Sequence, residues 1–439
     1  MNHPAGSPVF SCGNPDLEQA FRLALETLAF NTRPIRSGLL REARPCLMAG
    51  ADYPSPWTRD AAINVWFAEA FLDPETARST LISVLEEQDG LPVVGGQYWD
   101  RIIWALGAEC LWDRTRDAGF ARFAYDVLNR TADRCLREEY DPADGLFRGP
   151  AVYGDGVSAY PEPYRNPSLS SSILRWPQEH PGQRIAAGGG IPMKALSTNC
   201  VYEHAYRVIA RLAAALGENA GPWIRRADAL KKSVNAAFWN SATGLYDYLS
   251  GECAAQESLG LAFAVLFGIA DAERACSVME HTYITPHGIP CVWPAFPPYH
   301  RDGGYGRHSG TVWPHVQGFW ALAALKAGRA DLYNRELLSL ARHAVRDGQF
   351  AEIYHPEDGR MYGGIQEGGG TYLEWRSCEK QTWSAAAFLA MVFRGMFGLD
   401  ADGCSGSSFL PDGVSRAELS GLDCGGKEIH LIIERKECL

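Results

Sequence analysis

The residues best suited to chemistry lie in one polar stretch near the end of the chain. Between Gly348 and Phe388, six carboxylates stand among tyrosine, tryptophan and glycine: Glu352, Glu357, Asp358, Glu367, Glu374 and Glu379. Cleavage of a glycosidic acetal requires a proton donor and a base. Aromatic rings offer a flat surface to the C–H face of a sugar. The stretch therefore predicts either a sugar-cleaving site or a polar loop that covers one end of a helical domain.

Within this stretch, Glu352 is the preferred base because apolar residues surround it in the sequence. Glu357 and Asp358 fall in a Pro-Glu-Asp-Gly turn, where exposure is expected. Glu379 is the reserve base, although an ion pair with Arg376 is the simpler explanation for it. Further candidates for substrate binding in the stretch are Tyr354, Trp375, Gln381 and Trp383.

Two earlier segments place tryptophan and aspartate where a loop becomes a helix. The first, SPWTRDAAINVWF, contains Trp57, Arg59 and Asp60. Asp60 either stabilises the first helical turn by its charge or bridges two sugar hydroxyls above Trp57. The second, GGQYWDRIIW, repeats the arrangement with three more candidates for substrate binding: Gln97, Trp99 and Asp100. On alternate helices of a toroid, both segments would face the same cavity.

Asp155 lies between two glycines in the segment VYGDGVSAYPEP, which has no helical pattern. A Gly-Asp-Gly sequence is most often a simple turn. Alternatively, the glycines let the backbone bring this carboxyl close to a glycosidic oxygen, where it would act as general acid. Tyr160 is a nearby binding candidate, and tyrosines around the carboxyl would help to keep its pKa high.

A third segment, GRHSGTVWPHVQGFWALAAL, leads into an apolar helix. His308 and His315 are seven residues apart, with no carboxylate fitted to that spacing, so polar groups beside a pocket are expected rather than metal ligands. Trp313 is the stronger candidate, because a tryptophan entering an inner helix would form a wall of a sugar site.

The composition limits the kinds of ligand. The 439 residues carry a formal net charge of −11, which disfavours nucleic acid and anionic membrane surfaces. Aromatic residues make up 11% of the chain, so flat apolar surface is abundant. We therefore expect a small saccharide or glycoside as substrate, no nucleic-acid or membrane partner, and no cofactor.

The twelve cysteines include no CxxC pair and no Cys/His spacing typical of zinc sites. They are expected to be reduced and buried. The N-terminus lacks the basic start and apolar core of a signal peptide, and no apolar run reaches eighteen residues. These features predict a soluble, cytoplasmic protein without a metal.

Helical periodicity recurs along the chain. Asn14 before Pro15 and Asp73 before Pro74 indicate helix starts. The pattern predicts twelve helices, at 15–30, 58–71, 74–88, 98–115, 117–138, 198–217, 221–240, 255–268, 271–281, 311–327, 331–347 and 380–397. Short links join several neighbours, as antiparallel helical hairpins require.

Three connections are much longer and rich in Gly, Pro, Tyr and Trp: 139–197, 282–310 and 348–379. Loops of this length in a compact domain usually carry function. The pattern predicts an all-α fold, an (α/α)6 toroid of six helical hairpins, as a catalytic domain over residues 10–400. Alternating apolar positions near the end predict a short β-rich C-terminal appendage over 401–439.

Several of these motifs together resemble those of the bacterial six-hairpin glycosidases, similar to glycoside hydrolase family 63 and its mannosylglycerate and glucosylglycerate hydrolases. They are WTRDA, STNCVYEHAYRVIARLA with the DG turn before it, HSGTVWPHVQGFWALAAL, AEIYHPEDG and QTWSAAAFLAMVFRGMFG. The resemblance covers about residues 10–400. It implies the (α/α)6 fold and hydrolysis of an α-linked glycoside.

The resemblance also implies the catalytic pair. The family's base falls on Glu352 in EIYHPEDG, and its acid falls on Asp155 in GDGVSAYP, whose flanking residues differ from the family's usual acid segment. The implied mechanism is inverting hydrolysis. Separately, loops 139–197 and 282–310 lack repeated aromatic ladders, which predicts a short, exo-cleaved substrate. Inversion requires carboxyl groups about 6.5–9.5 Å apart, whereas about 5–5.5 Å indicates retention.

Other functions remain open at this stage. A sugar epimerase or isomerase on the same toroid would use paired histidines, for which His204, His308 and His315 are available. A polysaccharide lyase would need a cationic cleft, which the net charge disfavours. A non-catalytic carbohydrate sensor would bind sugars without turnover.

Overall fold

The computed structural model describes residues 8–401, 406–423 and 428–435. Helices dominate these ranges. Their bounds are α1 Pro15–Asn31, α2 Thr58–Asn64, α3 Ala70–Leu72, α4 Pro74–Ser83, α5 Trp104–Thr115, α6 Ala118–Glu138, α7 Trp176–Glu179, α8 Leu196–Ala215, α9 Gly221–Phe238, α10 Ser258–Leu266, α11 Ala272–His281, α12 Pro314–Lys326, α13 Ala330–Asp347 and α14 Thr382–Ala390. π-Helical turns, Val65–Glu69 and Met391–Met396, join α2 to α3 and extend α14.

The strands are short. They are β1 Val9–Ser11, β2 Thr32–Ile35, β3 Arg44–Leu47, β4 Leu85–Gln88, β5 Leu91–Val94, β6 Tyr140–Asp141, β7 Leu146–Phe147, β8 Trp239–Asn240, β9 Leu245–Tyr246, β10 Gln256–Glu257, β11 Val292–Trp293, β12 Ile365–Gly368, β13 Thr371–Glu374, β14 Arg416–Asp423 and β15 Glu428–Glu434. Apart from one three-stranded sheet, they form antiparallel pairs.

Each of the twelve predicted segments contains a helix, and both predicted caps are present. The side chain of Asn14 accepts hydrogen bonds from the first backbone amides of α1, and Asp73 does the same for α4. The prediction of one helix over 74–88 is wrong after Ser83. The chain there turns at Asp89 and Gly90, and β4 pairs with β5. Asp-Gly is a strong hairpin signal that the helical pattern obscured.

Six of the helices pack against one another in cyclic order. Helix α2 contacts α5, α5 contacts α8, α8 contacts α10, α10 contacts α12, α12 contacts α14, and α14 returns to α2. Every residue of α2 and α14 is buried, and most residues of α5, α8, α10 and α12 are buried. Helices with so little exposed surface lie inside a protein. These six are therefore the inner helices of the fold.

The remaining long helices cover the inner ones. Helix α1 packs on α14, α4 on α5, α6 and α9 on α8, α11 on α10, and α13 on α12. Each has one buried stripe, as in α6, where apolar residues recur every three to four positions. This alternation of an outer and an inner helix agrees with the predicted hairpins.

A short β-hairpin follows several of the outer helices. The pairs β4–β5, β6–β7 and β8–β9 follow α4, α6 and α9, and each turn contains a glycine with φ between +71° and +74°. Only glycine adopts this conformation without strain. Each turn sends the chain back toward the start of the next inner helix. The long loops therefore gather at the end where the inner helices begin.

Both ends of the described chain share one sheet. Strand β14 pairs with β15 on one side and with β1 on the other. The predicted C-terminal strands are thus present, and the N-terminal Val9–Ser11 belongs to the same sheet. Cys404, Cys424 and Cys438 lie outside the described residues; the nine other cysteines are free thiols. No helix in the described ranges has the length and apolar character needed to cross a membrane.

Candidate active site

A narrow cavity of about 90 Å³ lies at the end where the inner helices begin. Its lining comes from five separate segments: Tyr53, Trp57, Arg59, Asp60, Tyr153, Asp155, Arg307, Trp313, Glu352 and Trp383. Seven of these ten are residues that the sequence predicts. The volume is well below the roughly 300–1,000 Å³ of pockets for drug-sized ligands. A single small ring is therefore the size of ligand that it fits.

Arg59, in the first turn of α2, links three of the predicted segments. Its Nη1 donates to the carbonyl of Val152 at 2.8 Å, and to Gln97 and Asp100 at 3.2 Å each. Its Nη2 lies 3.5 Å from Oδ2 of Asp155. Because the guanidinium has donors in fixed directions, it holds these loops in one relative position at the wall of the cavity.

Asp155 lies in a loop that neighbouring side chains tie down. The hydroxyl of Tyr160 donates to the carbonyl of Gly154 at 2.6 Å and accepts from the amide of Ala151 at 3.0 Å. Trp99 is fully buried and donates to the carbonyl of Ala151 at 2.9 Å. Trp99 and Tyr160 therefore do not line the cavity, and they position the loop that carries Asp155.

The electrostatics around Asp155 favour its ionised form in the unliganded protein. Burial raises its pKa, but the charges of Arg59, His308 and Arg307 outweigh burial and lower the pKa below the ordinary value. His308 contributes only when protonated, and burial holds its own pKa at about 3. At neutral pH the two arginines are therefore responsible. The side chain of Asp155 remains 47% exposed toward the cavity, so a bound ligand would bury it further.

Glu352 is held from three sides. The hydroxyl of Tyr53 donates to Oε1 at 2.7 Å, and Nη2 of Arg307 donates to Oε2 at 2.7 Å. The amide of Cys378 lies 3.4 Å from Oε2. Three donors on one carboxylate fix its orientation. This arrangement suits a base.

Asp60 is the second carboxyl with an unusual ionisation. Burial raises its pKa to about 7; Arg59 acts against this, while Glu352 and Asp155 add to it. Only 4% of the residue is exposed, and it lines the cavity. A carboxyl in this position can accept or donate a hydrogen bond near neutral pH.

Aromatic rings form the remaining wall. His308 stacks on Trp313 at 4.8 Å between ring centroids and on Tyr153 at 5.8 Å. His315 stacks on Trp383 at 4.2 Å. Both histidines are buried beside the pocket, and burial lowers the pKa of both. The expectation of hydrogen-bonded polar groups is wrong for His315, because neither of its ring nitrogens has a hydrogen-bond partner among the described residues.

Four other predicted residues lie outside the cavity lining. The hydroxyl of Tyr354 accepts from the amide of Ala351 at 3.0 Å, within the loop that carries the base. Gln381 is fully buried before α14. Trp375 is 39% exposed. Glu379 is half-exposed and paired with Arg376, which is its simpler explanation.

Sequence reasoning missed Tyr53 and Arg307, and it mentioned Tyr153 only as a neighbour. Tyr53 stands four residues before Trp57, and Arg307 directly precedes His308. A tyrosine and an arginine next to candidates already identified were the available signals. Their contact with Glu352 depends on loops far apart in the chain, so spacing alone does not reveal it.

A larger cavity of about 760 Å³ lies at the opposite end, lined by the last turns of the inner helices. Several of its charged groups pair with one another. Arg211 pairs with Glu109 and Asp113, and His204 lies 2.9 Å from Glu109. We place the active site at the smaller cavity, because it combines carboxyls of different ionisation with exposed aromatic surface.

A family model described as the mannosylglycerate hydrolase MGH1-like glycoside hydrolase domain matches residues 53–384. That range contains every residue of the cavity lining. None of the curated proteins compared matches the sequence significantly.

Solved structures of glycosidases share the fold. A sialidase has a TM-score of 0.67 at 14% identity, covering 98% of this chain and 38% of its own. Mannosylglycerate hydrolase from Thermus thermophilus, in complex with glucose, has a TM-score of 0.62 at 20% identity, covering 84% and 98%. An α-L-rhamnosidase from Streptomyces avermitilis, with L-rhamnose, has a TM-score of 0.61 at 11% identity, covering 98% and 37%. The chain thus spans less than two fifths of the sialidase and the rhamnosidase.

Proposed function

Because the chain belongs to the mannosylglycerate hydrolase MGH1-like glycoside hydrolase family, we propose that it is an inverting, exo-acting hydrolase of a small α-linked glycoside. Asp155 acts as general acid and Glu352 as general base. The observation that carries this proposal is that both carboxyls line one narrow cavity, from loops nearly two hundred residues apart, with an arginine beside each.

In this mechanism Asp155 gives its proton to the departing glycosidic oxygen while Glu352 removes a proton from an attacking water. The bond from the water oxygen to the anomeric carbon forms on the face opposite the leaving group, so configuration inverts. Tyr53 and Arg307 each donate a hydrogen bond to Glu352. Their donors also fix the direction in which its oxygens point.

Protonation of Asp155 requires that substrate binding raise its pKa. Burial already acts in that direction, and half of the side chain still faces the cavity. A sugar ring with its aglycone would remove water from this half and strengthen the effect of burial. The acid therefore becomes competent in the complex rather than in the free protein.

The lining supports recognition of one sugar ring. Asp60 and Arg59 offer hydrogen bonds to hydroxyls, and Trp57, Trp313 and Trp383 offer flat surfaces. The small volume supports cleavage of a single terminal residue. Trp375 is exposed and lies outside the cavity lining. We propose that it contacts the aglycone.

We also infer that the six inner and six outer helices form an (α/α)6 toroid, with residues 10–400 as the catalytic domain and 401–439 as an appendage. The cyclic contacts of the inner helices support this architecture. The similarity to mannosylglycerate hydrolase supports it too.

The isomerase alternative receives less support. His204 pairs with Glu109 at the opposite end of the inner helices, so it is not available to His308. The ring of His315 stacks on Trp383, and His315 is not part of the cavity lining. The family match favours hydrolysis.

A panel of α-glycosides tests the proposal. It should contain α-glucosides and α-mannosides, including glycerate glycosides, since the T. thermophilus enzyme is also solved with D-glycerate, and α-L-rhamnosides for contrast. Asp155→Asn should lose about 10²–10⁴-fold in rate on alkyl glycosides and less than about tenfold on an aryl glycoside with a good leaving group, because that group departs without protonation. Equal losses on both substrates would contradict the assignment of the acid.

A further inference from the structure

Resting on the proposed role of Asp155, we propose that His308 is a positioning residue: Ser158 and Gln366 fix its proton on Nδ1, so that the unprotonated Nε2 faces Asp155 and favours the protonated carboxyl. The mechanism proposed above gives these three residues no part.

The ring of His308 has a fixed plane. Trp313 stacks with it at an interplanar angle of 18°, and Tyr153 at 26°. The residue is only 1% exposed. Stacked with two rings, the imidazole interacts with polar groups through its edge, where its two nitrogens have different partners.

Counting protons assigns the two nitrogens. The hydroxyl of Ser158 has one proton, and it donates to Oε1 of Gln366 at 3.2 Å. Nδ1 of His308 lies 3.2 Å from the same hydroxyl oxygen, which can then only accept. Nδ1 therefore carries the proton, and a neutral imidazole has no second one. Burial keeps the imidazole neutral at the pH of catalysis.

Nε2, with its lone pair, lies 3.9 Å from Oδ1 of Asp155. A lone pair repels an ionised carboxylate, whereas the protonated carboxyl can turn and donate to it. Arg59 and Arg307 act in the opposite sense on the same carboxyl. In the reaction, His308 therefore offsets part of the lowering of the Asp155 pKa by the two arginines. The proton of Asp155 thus stays available to the leaving group.

Other titratable groups lie around His308 and Asp155. Asp60 and Asp100 interact electrostatically with Asp155, and His315 interacts with His308. The carboxyls of Asp60 and Asp100 have a pKa of about 7. Their partial ionisation adds to the effect of His308, since a negative neighbour also favours protonated Asp155.

The glycine after Asp155 makes this contact possible. A Cβ at Gly156 would lie 2.4 Å from Oε1 of Gln366 and 3.0 Å from Cε1 of His308. Strand β12, which carries Gln366, packs against residues 157–159. The absence of a side chain at 156 thus lets the imidazole and the amide approach the acid loop.

The test compares His308→Phe, which keeps a stacked ring without nitrogens, with wild type and with Asp155→Asn. We expect the alkaline limb of kcat against pH, which reports the acid in the substrate complex, to move about one unit toward acid. The loss on an alkyl glycoside should exceed the loss on an aryl glycoside with a good leaving group.

Ser158→Ala provides a second variant if His308→Phe does not fold. Without the hydroxyl, the imidazole proton can move to Nε2 and stabilise ionised Asp155, so the limb should also move toward acid. Ser168→Ala, an exposed serine of the same loop that binds Glu179, is the matched control and should leave the profile unchanged.

If the alkaline limb does not move in His308→Phe or in Ser158→Ala, and each variant loses the same factor in rate on the alkyl and the aryl glycoside, the role of His308 is overturned. The proposed function would remain intact. If Asp155→Asn itself lost equally on both substrates, the acid assignment and this inference would both fail.

Discussion

Glu352 and Asp155 are held in opposite ways, and the difference matches the two roles. Glu352 accepts hydrogen bonds from Tyr53 and Arg307 and is nearly fully buried. Asp155 has no hydrogen bond shorter than its 3.5 Å contact with Arg59 among those found for its carboxylate, and it is half-exposed. A base benefits from a fixed, ionised carboxylate, whereas an acid must change its protonation when substrate arrives.

Glu352→Gln should lower kcat by about 10²–10⁴-fold, because the amide keeps the shape but accepts no proton from water. Binding of the product sugar should change little, since the amide oxygen can accept from Arg307 while the amide NH2 donates to the hydroxyl of Tyr53. Steady-state kinetics and calorimetric titration with the sugar measure the two effects.

Glu379→Gln is the matched control. Glu379 lies in the same stretch but outside the cavity lining, half-exposed and paired with Arg376, so its substitution should leave kcat near the wild-type value. A large loss at 379 together with normal activity at 352 would reverse the assignment of the base.

How far the sequence predicts these residues depends on where their contacts come from. Glu352 and Trp383 are recognisable because local segments contain carboxylates and aromatic rings together. Arg307 was not predicted, because its role depends on a hydrogen bond to Glu352, forty-five residues later in the chain. The sequence around Trp99 suggests a platform for a sugar ring. In the structure its indole N–H donates to the carbonyl of Ala151 instead.

Among the elements, the loop that contains Asp155 depends on close packing with its neighbours. Gly156→Ala should force Gln366 and His308 away, because the new Cβ would lie 2.4 Å from the Gln366 amide oxygen. Displacement of a catalytic group by about 1 Å costs on the order of 100-fold in rate. We expect a loss of kcat/KM of that size with a small change in thermal stability.

Gly182→Ala is the control in the same long loop. A Cβ there would have no heavy atom within 4 Å, so activity and stability should be unchanged. Normal activity of Gly156→Ala would show that the loop tolerates the displacement and that its packing does not position the acid.

The helices were predictable because their signals are local. Caps at Asn14 and Asp73 and recurring apolar positions specify where they begin and which face is buried. The end of α4 was not predictable, because β4 is defined by its pairing with β5 and not by its own sequence pattern. The pairing of β1 with β14 joins opposite ends of the chain, which no short-range signal indicates.

For the whole molecule, buried acids predict how stability depends on pH. Burial raises the pKa of Glu69 and Glu257 from 4.5 to about 8 each. The folded protein then binds protons that the unfolded chain has lost, so stability from these groups is complete below about pH 4.5 and is lost as pH rises through 8.

Buried histidines act at lower pH. The pKa of His308 and of His343 is lowered to about 3, so their effect on stability ends above about pH 6.5, where both states are neutral. We therefore expect the melting temperature to fall between about pH 6.5 and 8.5. Calorimetry across this range measures it.

Glu257→Gln keeps an acceptor for the amide of Ser197, which Glu257 contacts at 3.0 Å, and cannot ionise. The variant should show a shallower fall in melting temperature than wild type. An identical slope would mean that Glu257 does not remain protonated in the folded protein.

The central claim, inverting hydrolysis by Asp155 and Glu352, is tested most directly by the first product. Hydrolysis of a cleaved α-glycoside should be followed by ¹H NMR of the anomeric proton, before mutarotation mixes the anomers. We predict that the β-anomer appears first and that Glu352→Gln produces neither anomer at a comparable rate. Initial appearance of the α-anomer would mean retention through a covalent intermediate and would contradict the mechanism.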